Sequence, residues 1–161
     1  MRWIRHLLAH LQSRKFPAQS LAAIHHAIAD GERHHRGQVC FAIEQALPLH
    51  DLIAARSIRD RANEAFAQLR VWDTAQNSGV LIYVLIAEHA IEIVADRGIA
   101  ARVDQDEWQA ICERMRSRFA AGDYESGAVD GVNAVGMILE REFPADGSAR
   151  DNELSDAPII L

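Results

Sequence analysis

The chain has 161 residues, of which 49% are hydrophobic and 25% charged, a composition that suits one domain with its own buried core. Its formal net charge of −6 excludes a general nucleic-acid binder, because displacing counterions from phosphates takes a basic surface. The two cysteines, Cys40 and Cys112, lie far apart with no CxxC and no histidine at metal spacing, which excludes a disulfide framework or a zinc knuckle.

The charge is unevenly spread. Residues 1–16 carry Arg2, Arg5, Arg14 and Lys15 with no acid. The C-terminal stretch carries Asp146, Asp151, Glu153 and Asp156 against Arg150 alone. In "MRWIRHLLAHLQSRK" the apolar residues are interrupted by Arg5, His6, His10 and Gln12, so no secretory signal core is readable. Trp3, Ile4, Leu7, Leu8 and Leu11 share one side of a helix flanked by cations. That pattern suits packing on the chain's own domain, or contact with a partner or the periphery of a membrane.

"FPAQSLAAIHHAIADGERHHRG" places Leu21, Ile24 and Ile28 at helical spacing and predicts a helix over about 18–33. In "QVCFAIEQAL", Val39, Phe41 and Ile43 alternate with Cys40, Ala42 and Glu44, as in a strand with one better-buried face, closed by Pro48. From about 55 to 71, Ile58, Ala62, Ala65, Phe66 and Leu69 form an apolar stripe, with Arg59, Asp60, Arg61 and Glu64 mostly opposite.

"WDTAQNSG" is dense in turn formers and leads into "VLIYVLIA", whose continuous apolar character predicts a central strand covered on both faces. After a polar tip at Glu88 and His89, "IEIVA" returns as the second strand of an antiparallel hairpin, which brings Asp96 back near Asn77 and Ser78. The longest apolar stretch is broken by Glu88, His89 and Glu92, short of the roughly 20 residues that span a bilayer. These features lead to the expectation of a soluble, cytoplasmic protein.

A helix starting near Asp104, with acids suited to its N-terminal dipole, buries Trp108, Ile111, Cys112, Met115 and Phe119 and ends at Gly122. Another runs from about Glu125 to Phe143 and lines up Gly127, Gly131, Val135 and Leu139, a row that suggests close packing on the sheet. Residues beyond Pro144 lack periodicity and read as a flexible tail. The expected organisation is an N-terminal basic segment over 1–16, one α/β domain over 17–144 and an acidic tail over 145–161. The domain is a three-layer sandwich with a small mixed sheet flanked by helices.

The segments "RVWDTAQNSGVLIYVLIAEHAIEIVADRGI" and "WQAICERMRSRFAAGDYESGAVDGVNAVG" resemble the TPM-domain family, named for a thylakoid lumen protein, a photosystem II repair protein and an acetylcholine-receptor modulator. The likeness covers roughly residues 36–143. It is carried by "NSGVLIYVL", by "EIVADRGI", and by Phe119, Gly122, Asp123, Tyr124 and Gly127. It implies a central sheet between helices. For some members it also implies weak acid-phosphatase activity and binding of calcium or another divalent metal, and for others an accessory role to membrane complexes. Many members add a signal peptide and a transmembrane segment. Where many relatives carry Asp-Asn or Asn-Asn before the glycine, this chain carries Asn77-Ser78.

Calcium takes about six to eight oxygen ligands, several of them carboxylates on loops. The hairpin is expected to gather Asp73, Asn77, Asp96 and Asp104 as ligands for Ca2+ or Mg2+. Each also has a plainer role: turn hydrogen bonding for Asp73 and Asn77, an ion pair or loop amide for Asp96, and an N-cap for Asp104. Asp96 and Arg97 are the catalytic candidates, with Arg97 placed to clamp a phosphate and Gly98 letting the backbone approach. No Ser/His/Asp order or phosphate-cradling Gly-rich loop accompanies them.

Asp123 suits a helix cap. Glu44 and Glu88 at strand ends would face each other across parallel strands. The histidines His6, His10, His25, His26, His34 and His35 suit ordinary surface or half-buried positions, and both cysteines suit the core. The sequence thus points to a ligand- or protein-binding domain that takes a protein partner or a small phosphorylated ligand. The alternative is a weak metal-dependent phosphatase.

Overall fold

The computed structural model describes residues 6, 15–148 and 151–161. The amphipathic helix expected over 1–16 and the position of His10 therefore fall largely outside the described residues. Among those described, six α-helices and one four-stranded sheet form a three-layer α/β domain.

Helix α1 (Ala18–Gly31) precedes β1 (Gln38–Glu44), then come α2 (Leu49–Ile53), α3 (Ile58–Gln68) and β2 (Gly79–Leu85). A 3₁₀ turn at Ile86–Glu88 leads into β3 (Ala90–Ala95), followed by α4 (Arg97–Ala100), α5 (Gln105–Ala120), α6 (Tyr124–Glu142) and β4 (Ile159–Ile160). The strand order is β3-β2-β1-β4. β1 runs parallel to both β2 and β4, and β2 pairs antiparallel with β3. The mixed sheet follows from loop length: a tip of a few residues returns β3 antiparallel, whereas parallel β1 and β2 need the long crossover through α2 and α3.

Strand alternation sends one set of side chains to each layer. Val39, Phe41, Ile43, Val80, Ile82, Val84, Ile91 and Ile93 pack with α1, α5 and α6. Cys40, Ala42, Leu81, Tyr83, Leu85 and Val94 pack with α3 and Leu47. β1 was expected to have one better-buried face, but it is buried on both, because α3 and the C-terminal segment cover its second side. β2 is buried along its whole length, as a central strand should be.

Three further expectations change. Arg61 does not face solvent with Arg59 and Asp60: it is 8% exposed and reaches back onto the sheet to Glu44. The glycine row of α6 packs on α5 rather than on the sheet, since a Cβ at Gly131 would lie 2.3 Å from Met115 Sδ and one at Gly127 2.8 Å from Phe119 Cε1. The tail expected to be flexible instead lays β4 along β1, with the Leu161 N–H donating to Ile43 O at 2.9 Å and Leu154, Ile159 and Leu161 packed on the second core. Isolated apolar residues in a polar tail carry no periodicity, but an open edge strand and a partly covered core give them a seat.

Glu32, just past α1, accepts the Val39 N–H at 2.9 Å and a Gln38 Nε2–H at 3.3 Å. Burial, with a smaller contribution from Asp156, pushes its carboxyl from 4.5 up to about 7, against the pull of those two hydrogen bonds. Between these values the folded chain holds a proton that the unfolded chain has released, so stability falls as pH rises from about 4.5 to about 7. The loss amounts to roughly 1–3 kcal/mol. Urea midpoints across this window should drop for the wild type and stay level for Glu32→Gln, which keeps an acceptor for Val39. Identical profiles for the two proteins would contradict the assignment.

Candidate functional site

The elbow is built where the loop before β2 meets the end of β3. Asn77 adopts φ 51°, and its N–H closes a turn onto Thr74 O at 3.2 Å. Thr74 Oγ1 accepts the Ser78 N–H at 2.9 Å, and Ser78 Oγ donates to Arg36 O at 3.2 Å. Gly79 then passes so close to Val71 that a Cβ there would sit 1.9 Å from the Val71 carbonyl oxygen. The hairpin register Val80↔Ala95 returns Asp96 to this loop, where its N–H donates to Gly79 O at 2.9 Å.

Asp96 caps α4, a short helix absent from the sequence expectations, with Oδ1 accepting the Arg97 N–H at 2.7 Å. The Gly98 N–H donates to Asn77 O at 3.1 Å, and a Cβ on Gly98 would meet Asn77 O at 2.6 Å and Gln76 O at 2.9 Å. Glycine is therefore required for the two loops to close on each other. Arg97, exposed, donates from Nε to Asn77 Oδ1 at 3.1 Å. Asp96 itself is 9% exposed, and its second oxygen, Oδ2, is buried with no hydrogen-bond partner. An unpaired buried carboxylate oxygen is costly, which makes it the feature of the elbow that asks for a ligand.

Of the four expected metal ligands, Asn77 and Asp96 are brought together. Asp73 forms an ion pair with Arg70 on the approach to the loop, and Asp104 stands exposed at the N-cap of α5, beyond α4. No group of three or more His, Cys, Asp or Glu side chains able to hold a metal occurs among the described residues. Any cation at the elbow would thus depend on Asp96, the Asn77 amide oxygen and nearby backbone carbonyls such as Gln76 O. Of the catalytic candidates, Arg97 lies beside Asp96 with its guanidinium turned to Asn77.

The other candidates resolve into structural roles. Glu44 and Glu88 do not form a pair: Glu44 is held by Arg61 and Tyr83, and Glu88 Oε1 accepts from His6 Nε2 at 2.8 Å. Asp123 occupies the N-cap position of α6, its carboxyl held below the usual range by Ser126 and then Arg118. Cys40 and Cys112 are buried and unpaired, and burial pushes their thiols up to about 12 and about 11.

The sequence pattern missed a buried polar network on the α3 face. Arg61 donates to Glu44 from Nε at 2.9 Å and from Nη2 at 2.8 Å, and its Nη1 reaches Glu64 at 3.0 Å. Tyr83 donates its hydroxyl to the same Glu44 carboxylate. Burial and then that carboxylate push the phenol far above its ordinary value. A tyrosine inside an apolar strand and a glutamate at the end of another were the available signals.

A family model described as the TPM domain matches residues 12–138, most of the chain and all of the elbow. The chain belongs to the TPM domain family. The TPM likeness extends to solved structures: the BA42 protein from the psychrophilic bacterium Bizionia argentinensis is 29% identical with a TM-score of 0.79, over 91% of this chain and 95% of that one. No curated protein sequence matches the chain. The TPM match ends at residue 138, before the segment that supplies β4, so the strap along β1 lies outside the matched domain.

Proposed function

We propose that this TPM domain is a binding module that takes a divalent cation, Ca2+ or Mg2+, at the elbow and presents it to a protein partner or a small phosphorylated ligand. The observation that carries this is the buried, unpartnered Oδ2 of Asp96, set between two loops whose backbones touch at Gly98. Asp96 supplies the charge, Asn77 Oδ1 becomes a ligand when the exposed Arg97 swings away, and Gln76 O and water complete the shell. One carboxylate among neutral oxygens makes a weak site, with a dissociation constant of roughly 10⁻⁴ to 10⁻³ M. The proposed compartment is the cytoplasm, supported by two free, buried thiols that need no oxidising environment.

Calorimetric titration with Ca2+, Mg2+ and Mn2+ tests the proposal. Asp96→Asn keeps the acceptor for the Arg97 N–H while removing the charge, and it should weaken binding by at least roughly tenfold with the fold intact. No binding of any of the three cations, or equal binding by the variant, overturns it.

Hydrolysis of phosphate esters at the same elbow is the second reading, favoured by Arg97 next to Asp96, where its guanidinium reaches an incoming phosphate. In that case turnover of a simple aryl phosphate would require the cation and would be lost in Asp96→Ala.

A further inference from the structure

The C-terminal strap, residues 151–161, covers the edge of β1 and at its near end grips the elbow. Glu153 Oε2 accepts the Ala75 N–H at 2.8 Å, inside the loop that carries Asn77. The Glu153 and Leu154 N–H groups both donate to Gln38 Oε1, at 3.0 and 2.9 Å. Gln38 is the first residue of β1, and its own N–H donates to Ser78 O at 3.0 Å. Its Nε2–H donates to Glu32 Oε2 at 3.3 Å, which fixes the amide with its oxygen toward the strap.

These bonds run in series into the elbow. Ala75 follows Thr74, whose carbonyl and hydroxyl oxygens accept the Asn77 and Ser78 N–H groups at 3.2 and 2.9 Å. Asn77, at φ 51°, extends the chain of contacts through its carbonyl, which accepts the Gly98 N–H at 3.1 Å close to Asp96. A left-handed residue outside glycine persists only where its surroundings hold it. The strap is one of those surroundings.

Its own seat is shallow. β4 pairs with β1 at two positions, against seven between β1 and β2. None of residues 151–161 is fully buried, and Ile160 stands 54% exposed. With so little apolar surface covered, the strap belongs to the parts of a fold that open well before the whole unfolds. Its apolar anchors lie toward the other end of β1 from Gln38: Ile159 is in register with Ala42, and the Leu161 N–H donates to Ile43 O.

We propose that the strap is a latch that holds the loop of residues 74–78 against α4, and that drawing it off β1 opens the elbow. Resting on the reading of the elbow as a cation site, the latch regulates that site. A seated strap and a bound cation then favour each other by the same factor in both directions.

Amide hydrogen exchange on the full chain tests this with variants at opposite ends of the strap. Glu153→Ala removes the bond to Ala75, and Ile159→Ser/Leu161→Ser weakens the anchors far from the elbow. Both should speed exchange of the Ala75, Asn77 and Gly98 amides by roughly tenfold, with β2 and α5 exchanging as in the wild type. Glu153→Gln keeps an acceptor and should stay near wild-type rates. A merely local bond would respond to Glu153→Ala alone, so unchanged rates in the distal double variant overturn the latch, as do unchanged rates in Glu153→Ala. Calorimetric titration with Ca2+ is the second arm. Both opened variants should bind roughly tenfold more weakly, and Ca2+ should slow exchange at Glu153 and Leu154 in the wild type by the corresponding factor. Equal affinity in all the proteins overturns the regulatory role. A wild type that takes up no Ca2+ ends only the cation reading of the elbow, because the exchange rates still decide the latch.

Discussion

Arg61→Ala is expected to destabilise the domain by roughly 3–5 kcal/mol, one of the largest effects of any substitution that leaves the apolar cores untouched. Arg61 and Glu44 are 8% and 3% exposed, and removing the guanidinium leaves a carboxylate buried against Tyr83 with no countercharge. The cost is that of the stranded charge rather than the worth of the pair. The double replacement Arg61→Met/Glu44→Leu, which removes both charges and keeps the volume, should therefore recover most of the loss. Urea unfolding of the two variants beside the wild type measures both quantities. A single variant within about 1 kcal/mol of wild type would show that the network is solvated and the account of this face mistaken.

Gly79→Ala is the second large effect, and it links the fold to the elbow. The added methyl would stand 1.9 Å from Val71 O and 2.9 Å from Val71 Cγ1, and the first of these is backbone that no rotamer change can relieve. Either β2 shifts out of register with its neighbours or the loop from Val71 to Ser78 moves. Overpacking of this kind costs roughly 1–3 kcal/mol or more, and the movement carries Asn77 away from Asp96. Gly136→Ala is the contrasting control. It lies inside α6, where the nearest atom to a new Cβ is His35 Nε2 at 3.7 Å, so the change should stabilise the protein by roughly 0.5–1 kcal/mol through helix propensity. Thermal denaturation should rank the three proteins Gly136→Ala, wild type, Gly79→Ala. A Gly79→Ala protein as stable as wild type would contradict the close approach at Val71.

The hydrophobic period made most of the fold legible. β2 announced itself as a buried central strand, the short tip at Glu88 and His89 dictated antiparallel β3, and Trp108, Ile111, Cys112, Met115 and Phe119 marked the inner face of α5 residue by residue. What the period could not show depends on partners distant in sequence. Arg61 looks like a surface residue among Arg59, Asp60 and Glu64 until Glu44 appears on β1 opposite it. Gly127 and Gly131 signal a close approach without naming α5 as the neighbour. Ile159 and Leu161 end a polar stretch that no local signal would place beside β1.

The elbow was legible to the same degree. Hairpin geometry was enough to join Asn77 to Asp96, because both flank paired strands. Asp73 and Asp104 looked equivalent to Asp96 as acids near turns. Only the three-dimensional path, with Arg70 beside the first and α4 before the second, separates them from Asp96.

The central claim is that the unpaired Asp96 oxygen makes the meeting point of these two loops a cation site. Amide NMR during titration of the full chain with Ca2+ and then Mg2+ addresses it most directly. The predicted result is saturable shifts confined to residues 73–79 and 95–99, present in the wild type and lost in Asp96→Asn. A spectrum unmoved at those residues, or shifts that persist in the variant, would contradict it.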